Sequence, residues 1–563
     1  MKRQFIKADF TITSWDLLKP YFDDLLNRKI DSAEALEKYI KDYNELGAVV
    51  SENMAWRYIK MTCDTANNAL RDSFNDFVQN IEPQMAPLSN ELNKKIMGSA
   101  FVNNIKKSGY NIYLRSLKNS IDLFREENIP LNTQLQELEQ QFGAINGEQS
   151  IEHDGEKMTL QKAAVYLKNT DRKIREEVYF KIQNRRAQDE NALNHLFDQL
   201  IQLRNQVALN TGFKNYRDYK HQALARFDYT VQDCLNFHEA VKLHAVGLIN
   251  EHDESRKRKL KLDDYRPWDT SVDEDGAEPL KPFTTANELI EKTITCFNKL
   301  DPFFGECVKT MHQLGRLDLE SRLGKAPGGY QYPLYETDVP FIFMNSVGLH
   351  RDLVTMVHEG GHAIHSFLDF DLELVDFKSP PSEVAELASM SMELLSMEHW
   401  DVFFNNESDL KKAKRQQLES VMDTLPWIAA IDKFQHWIYL NPKHTVDNRY
   451  ESWQNIIGDY GSRVINYKGI EDHIKRRWQV QLHLYEVPFY YIEYGFAQLG
   501  AIAVWRNYKN NPSLAIEKYK SALALGYTKS IPEIYEAAGI KFDFSPNYIK
   551  ELMDFVKEEY QKL

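Results

Sequence analysis

Apolar positions recur along most of this chain with the spacing of an α-helix. Leu36, Tyr39, Ile40, Tyr43 and Leu46 fall on one face at the 3.6-residue period. Ahead of them Asp31, with Glu34 three residues on, reads as a capping pair, and Gly47 reads as the stop. A second stripe, Leu193, Leu196, Leu200, Leu203 and Val207, runs into Asn210-Thr211-Gly212. Such stripes are core-facing sides of amphipathic helices. The pattern predicts a mainly α-helical protein, with no internal repeat of fixed period and no low-complexity linker.

The helical period breaks twice. Between Glu251 and Pro282 the basic run Arg256-Lys257-Arg258-Lys259 is followed by Asp263-Asp264, Asp269 and Asp273-Glu274-Asp275-Gly276, which reads as a solvated loop or hairpin. From Gly324 to Asn345 the chain carries Gly328-Gly329-Tyr330 and then Val339-Pro340-Phe341-Ile342-Phe343-Met344. Its β-branched and aromatic residues predict a short strand over Phe341 to Asn345, with Pro340 at a strand start or edge.

Composition narrows the function classes. The 563 residues are 43% hydrophobic and 27% charged, which is globular and long enough for several domains. A net charge of −14 excludes non-specific nucleic-acid binding and adhesion to an anionic membrane, since both need a basic footprint. No stretch reaches the roughly 18 apolar residues of a membrane span; Tyr494 to Trp505 comes nearest and contains Gln498. The segment Met1 to Asp9 lacks a following apolar region and cleavage site, so a cytoplasmic protein is expected. Cys63, Cys234, Cys296 and Cys307 form no CxxC pair, so reduced thiols are expected rather than a disulfide framework or thiolate zinc site.

Directly after the predicted strand stands Thr355-Met356-Val357-His358-Glu359-Gly360-Gly361-His362-Ala363-Ile364-His365-Ser366-Phe367. On a helix, His358 and His362 lie one turn apart on the same face, about 6 Å along the axis, so both can reach a single zinc ion. Glu359 leans toward the same place without needing to bind, which is where a general base for water belongs. Two adjacent glycines in a helix interior cost about 1 kcal/mol each, and make sense where something must approach the helix closely.

A catalytic zinc needs a third protein ligand and an open position. His365 lies about 10 Å along the axis from His358, too far for one ion, and is expected to support the ligands from behind or to sit in the core. The better source is the next helix, after Ser379-Pro380-Pro381-Ser382. There Glu386 and Glu393 lie two turns apart on one face of a stretch otherwise rich in Ala, Leu, Met and Ser. One can bind the ion while the other hydrogen-bonds a ligand imidazole.

His358-Glu359-Gly360-Gly361-His362, followed by Ala385-Glu386-Leu387-Ala388-Ser389 and Glu393, resembles the thimet oligopeptidase and oligoendopeptidase F family of zinc peptidases, and most of all its Pz-peptidase branch. The resemblance covers about two thirds of the chain. It includes Leu203-Arg204-x-x-Val207-Ala208-x-x-Thr211-Gly212-Phe213-x-Asn215-Tyr216, Arg266-Pro267-Trp268-Asp269, Gly328-Gly329-Tyr330 and Ala537-Ala538-Gly539-Ile540 in family order. Many members carry a larger residue where Gly360 sits. The resemblance implies Glu386 as third ligand beside His358 and His362, one zinc ion, and short peptides as substrates. It also implies two helical lobes around a deep channel, with a small β-sheet beside the zinc-binding helix. The chain then divides into an N-terminal helical domain over 1–160 and a catalytic domain over 161–563.

The segment His483-Leu484-Tyr485-Glu486-Val487-Pro488-Phe489-Tyr490-Tyr491-Ile492-Glu493-Tyr494-Gly495 is similar to the family's His/Tyr segment. By itself it reads as an aromatic core helix. With the resemblance, His483 and Tyr494 are expected to donate hydrogen bonds to the oxyanion, with Tyr490 and Tyr491 as interchangeable further donors. The expected activity is internal cleavage of short peptides, with Glu359 activating water, and the strand near Phe341 to Asn345 is a candidate to pair with substrate backbone. One rival is a helical zinc carboxypeptidase, which would need a cation for the substrate's terminal carboxylate; the Ala385-Glu386 run favours the endopeptidase. A second rival is a peptide-binding scaffold with a structural zinc, against which the retained Glu359 argues.

Overall fold

Burial follows the predicted stripes. In a computed structural model, which describes residues 3–322 and 324–563, Leu36, Tyr39, Ile40 and Leu46 line the buried side of the helix Ala33–Cys63, with Tyr43 half-buried. Two local expectations shift. The cap is Ser32, whose Oγ accepts the Ala35 N–H at 3.1 Å, one residue later than expected. Gly47 does not end the helix, because Val49, Ala55 and Ile59 continue the buried face beyond it. Val49 and Ile59 each contribute about 1.5–3 kcal/mol on full burial, more than the roughly 1 kcal/mol that an interior glycine costs. The second stripe lies in the helix Glu190–Asn210 and gives way to Gly212 at φ +90°, as its Asn-Thr-Gly ending implies.

The described residues are mainly α-helical with two small sheets, and the chain forms two compact units. One comprises residues 1–126, 280–414 and 496–542; the other comprises 127–279, 415–495 and 543–563. Each therefore draws on three stretches of sequence. The second unit contains the antiparallel hairpin β1 (Ser150–His153) and β2 (Glu156–Thr159). Its basic run was expected in a loop, but the helix Val246–Lys259 continues through it, so that four cations complement the negative end of the helix dipole. The acidic residues that follow lie outside regular helix. Asp269, fully buried, accepts from Arg172 and Arg175 at 2.8 Å, so the Arg266-Pro267-Trp268-Asp269 landmark is a buried ionic anchor.

In the first unit the strands β3 (Leu317–Glu320), β4 (Tyr330–Tyr332) and β5 (Phe341–Ser346) form a sheet of order β3-β5-β4. The predicted strand is β5, parallel to β3 and antiparallel to β4. Being central, it has both edges occupied, and the expectation that it pairs with substrate is corrected: β4 and β3 hold the sheet's edges. Phe341 and Phe343 pack with Leu334 against Ala55 and Ile59 of the helix Ala33–Cys63. Among the described residues no helix is long and apolar enough to cross a membrane, and none of the four cysteines forms a disulfide.

Candidate active site

A short turn carries β5 into the helix His350–Leu368, which holds the His-Glu-x-x-His sequence. Gly348, at φ +92°, makes the reversal, and Asp352 Oδ2 accepts the N–H groups of Val347 at 2.8 Å and Leu349 at 2.9 Å, pinning the helix start. Leu353, Met356, Val357 and Ile364 are fully buried, so the opposite face, with His358 and His362, is held in a fixed direction. The second helix, Ser382–Met397, begins after Pro380-Pro381 and packs directly on this one. The paired glycines permit the approach: a Cβ at Gly361 would lie 2.8 Å from the Ala388 carbonyl oxygen, and one at Gly360 would lie 2.9 Å from the Phe297 ring. Phe297 thus takes the room that a larger residue would need at position 360.

Across this contact, Glu386 Oε2 lies 3.4 Å from His358 Nε2 and 3.6 Å from His362 Nε2. All three donor atoms lie within 4.8 Å of one another. Ligands about 2.0–2.1 Å from a tetrahedral zinc stand about 3.3–3.5 Å apart, so two nitrogens and a carboxylate oxygen here have the spacing and chemistry of a zinc triad. The outer atoms are also fixed. His358 Nδ1 donates to Glu393 Oε1 at 2.7 Å, the His362 ring donates to the Ala385 carbonyl, and Ser389 Oγ donates to Glu386 Oε2 at 3.0 Å. Burial would lower the His358 pKa, but Glu386 and Glu393 hold it well above its ordinary value: the pocket favours positive charge. Burial pushes His362 down to about 4, keeping it neutral.

Glu359 is buried and its carboxyl is pushed up to about 7, chiefly by burial and further by Glu386, against opposing effects of His358 and the Gln331 backbone N–H. Gln331 lies on β4, so the edge strand and the candidate base are in contact. His365 is buried, its ring donates to the Leu523 carbonyl, and burial pushes it down to about 3. It is a core histidine, as helix geometry requires.

The second unit gathers His483, Tyr490, Tyr491 and Tyr494. The His483 ring centroid lies 4.7 Å from that of Tyr491, 5.8 Å from Tyr494 and 6.1 Å from Tyr490. This is more than an ordinary core helix, because the segment turns at Phe489 (φ +67°) and is clamped there. Phe489 N–H donates to Gln435 Oε1 and its carbonyl accepts from Arg226, both at 2.5 Å; Arg226 also pairs with Glu493 at 2.8 Å. Fully buried Arg204 donates to the Leu484 and Tyr485 carbonyls beside His483. Sequence reading missed Gln481 and Trp427, whose side chains join His483 in a hydrogen-bonded row. Nothing in their spacing marks them.

A second His/Asp group, His238, Asp432 and His436, is also buried in the second unit. Its nitrogens stand 2.8 and 3.1 Å from Asp432 Oδ2, which is hydrogen-bond spacing rather than the edge of a metal tetrahedron. Burial alone would raise Asp432, yet His436 and His238 hold it below the ordinary carboxylate range, so both imidazoles donate to one carboxylate.

A model described as peptidase family M3 matches residues 165–554, and one described as the peptidase M3 N-terminal domain matches residues 5–124. An oligoendopeptidase F homolog of Borreliella burgdorferi is 23% identical over 412 residues, 70% of this chain and 65% of the relative. The oligopeptidase PepF of Bacillus subtilis is 22% identical over 407 residues, 71% of this chain and 58% of the relative. The chain thus matches 58% to 65% of these curated relatives' length. The solved structure of Pz peptidase A with inhibitor 2 superposes at a TM-score of 0.92, with 24% identity over 100% of this chain and 99% of that one. Oligoendopeptidase F of Enterococcus faecium superposes at 0.66, with 16% identity over 97% of each chain. These likenesses give the fold.

Proposed function

The chain belongs to peptidase family M3, and from that premise we propose that it is a zinc-dependent oligoendopeptidase that cuts internal bonds of short peptides. The observation that carries this is the spacing of His358 Nε2 and His362 Nε2 at 3.4 and 3.6 Å from Glu386 Oε2, with Glu359 buried on the same helix. Those three residues would hold the metal. When bound, zinc supplies Lewis acidity that polarises the scissile carbonyl and makes water a nucleophile near neutral pH. Glu393 and the Ala385 carbonyl keep each imidazole turned so that Nε2 faces Glu386. Glu359 takes a proton from the attacking water and passes it to the leaving amine, a task suited to a carboxyl whose pKa lies near 7.

His483, Tyr490, Tyr491 and Tyr494 carry the neutral donor chemistry that an oxyanion requires, and the resemblance to the family's His/Tyr segment, with their clustering, supports that role for them. An extended peptide adds to the sheet along the outer edge of β4, next to Glu359, where backbone pairing tolerates many side chains.

Glu359→Gln tests the mechanism. The variant should bind zinc as wild type does and lose hydrolysis of a fluorogenic peptide; unchanged hydrolysis would overturn it. A peptide blocked at both ends tests the endopeptidase reading, since a carboxypeptidase would leave it intact.

A further inference from the structure

Trp427, Gln481 and His483 form a hydrogen-bonded row with only one consistent direction. An indole N–H can donate but never accept. Trp427 Nε1 lies 3.0 Å from Gln481 Oε1, so the carboxamide oxygen must face the indole. This turns the amide nitrogen toward the histidine, where Gln481 Nε2 lies 2.7 Å from His483 Nδ1. An amide nitrogen also only donates, so His483 Nδ1 must accept and carries no proton. The neutral ring then bears its proton on Nε2. Reversing the amide would set two donors against each other at the indole. The Tyr491 hydroxyl, which can donate or accept, also hydrogen-bonds to both Trp427 and Gln481 and so packs a third side chain against the row.

We infer that Gln481, itself oriented by Trp427, is a positioning residue that holds His483 as the neutral Nε2–H tautomer, the form that can donate to an oxyanion. The hydrogen-bond logic stands by itself; the consequence for catalysis rests on the role proposed for His483 above. A carboxamide is suited to this in a way that a carboxylate is not. In Gln481→Glu, one carboxylate oxygen would still accept from Trp427, but the other could only accept from His483, drawing the neutral ring's single proton from Nε2 onto Nδ1 so that Nε2 no longer donates.

The test uses the full chain with ¹⁵N-labelled histidine, the His483 signals being assigned by their loss in His483→Gln. In wild type, Nδ1 should show the shift of an unprotonated nitrogen and Nε2 that of a protonated one. In Gln481→Glu, Nδ1 should become protonated, and kcat should fall by about 10²-fold, the usual loss for one oxyanion donor, with KM little changed. Gln481→Met, which neither donates nor accepts strongly, should leave a mixture of tautomers and an intermediate kcat. A protonated Nδ1 in wild type, or a Gln481→Glu spectrum with the wild-type tautomer, would overturn the inference. If His483→Gln keeps full kcat, the catalytic role of His483 fails while the tautomer measurement still decides the inference.

Discussion

A Cβ added to Gly361 would stand 2.6 Å from the Cα of Ser389, so the two helices of the candidate metal site meet backbone to backbone. The obstacle is main chain, which cannot swing aside as a flexible side chain would. Gly361→Ala gains about 1 kcal/mol of helix propensity, but overpacking typically costs about 1–3 kcal/mol and here pushes away the turn that carries Glu386. The expected outcome is a lower unfolding midpoint together with weaker zinc retention, read by thermal unfolding and metal analysis. Gly143, on an exposed helix position with nothing within 4 Å, is the control: Gly143→Ala should hold or raise the midpoint.

Glu386 and Glu393 both face His358, yet their roles differ. Glu386 Oε2 stands at metal-ligand spacing from both imidazoles, whereas Glu393 accepts the Nδ1 proton of His358 at 2.7 Å. Glu386→Gln should abolish zinc retention after dialysis. Glu393→Gln should keep the metal but with about 10–100-fold weaker affinity, the usual cost of losing a residue that orients a ligand. Titration against graded chelator measures both. A Glu393→Gln protein devoid of zinc beside a loaded Glu386→Gln protein would exchange the two assignments.

The geometry of the candidate site in the first unit was legible because it is local. His358, Glu359 and His362 are set by helix period alone; Glu386 and Glu393 both stood out as acids among small and apolar neighbours, and the family resemblance chose Glu386 between them. The interior glycines signalled a close approach, although only the fold names Ser389, Ala388 and Phe297 as what approaches. What escaped was long-range. That β5 is the central strand depends on β3 and β4 finding it, which no period along β5 reveals. Gln481 and Trp427 are remote in sequence and chemically ordinary, and acquire direction only when their hydrogen bonds are traced. The helix ends shifted for a similar reason: burial of Val49, Ala55 and Ile59 outweighs one glycine's local preference.

Asp369, which follows the motif helix, gives a pH dependence of stability. It is buried and its carboxyl is pushed up to about 8, chiefly by burial and further by Asp338, with Lys378 opposing. Lys378 is engaged with Asp338 at 3.1 Å, which limits its help. Between the ordinary carboxylate value near 3.8 and about 8, the folded protein therefore holds a proton that the unfolded chain has released. Where the native state binds more protons, stability falls as pH rises, so this group opposes folding increasingly across that window and its penalty vanishes below it. Asp369→Asn keeps the shape and removes the titration. Its unfolding midpoint should exceed that of wild type at pH 8, and the gap should narrow steadily toward pH 4. Parallel midpoint curves for the two proteins over that range would show that Asp369 is ionised in the fold.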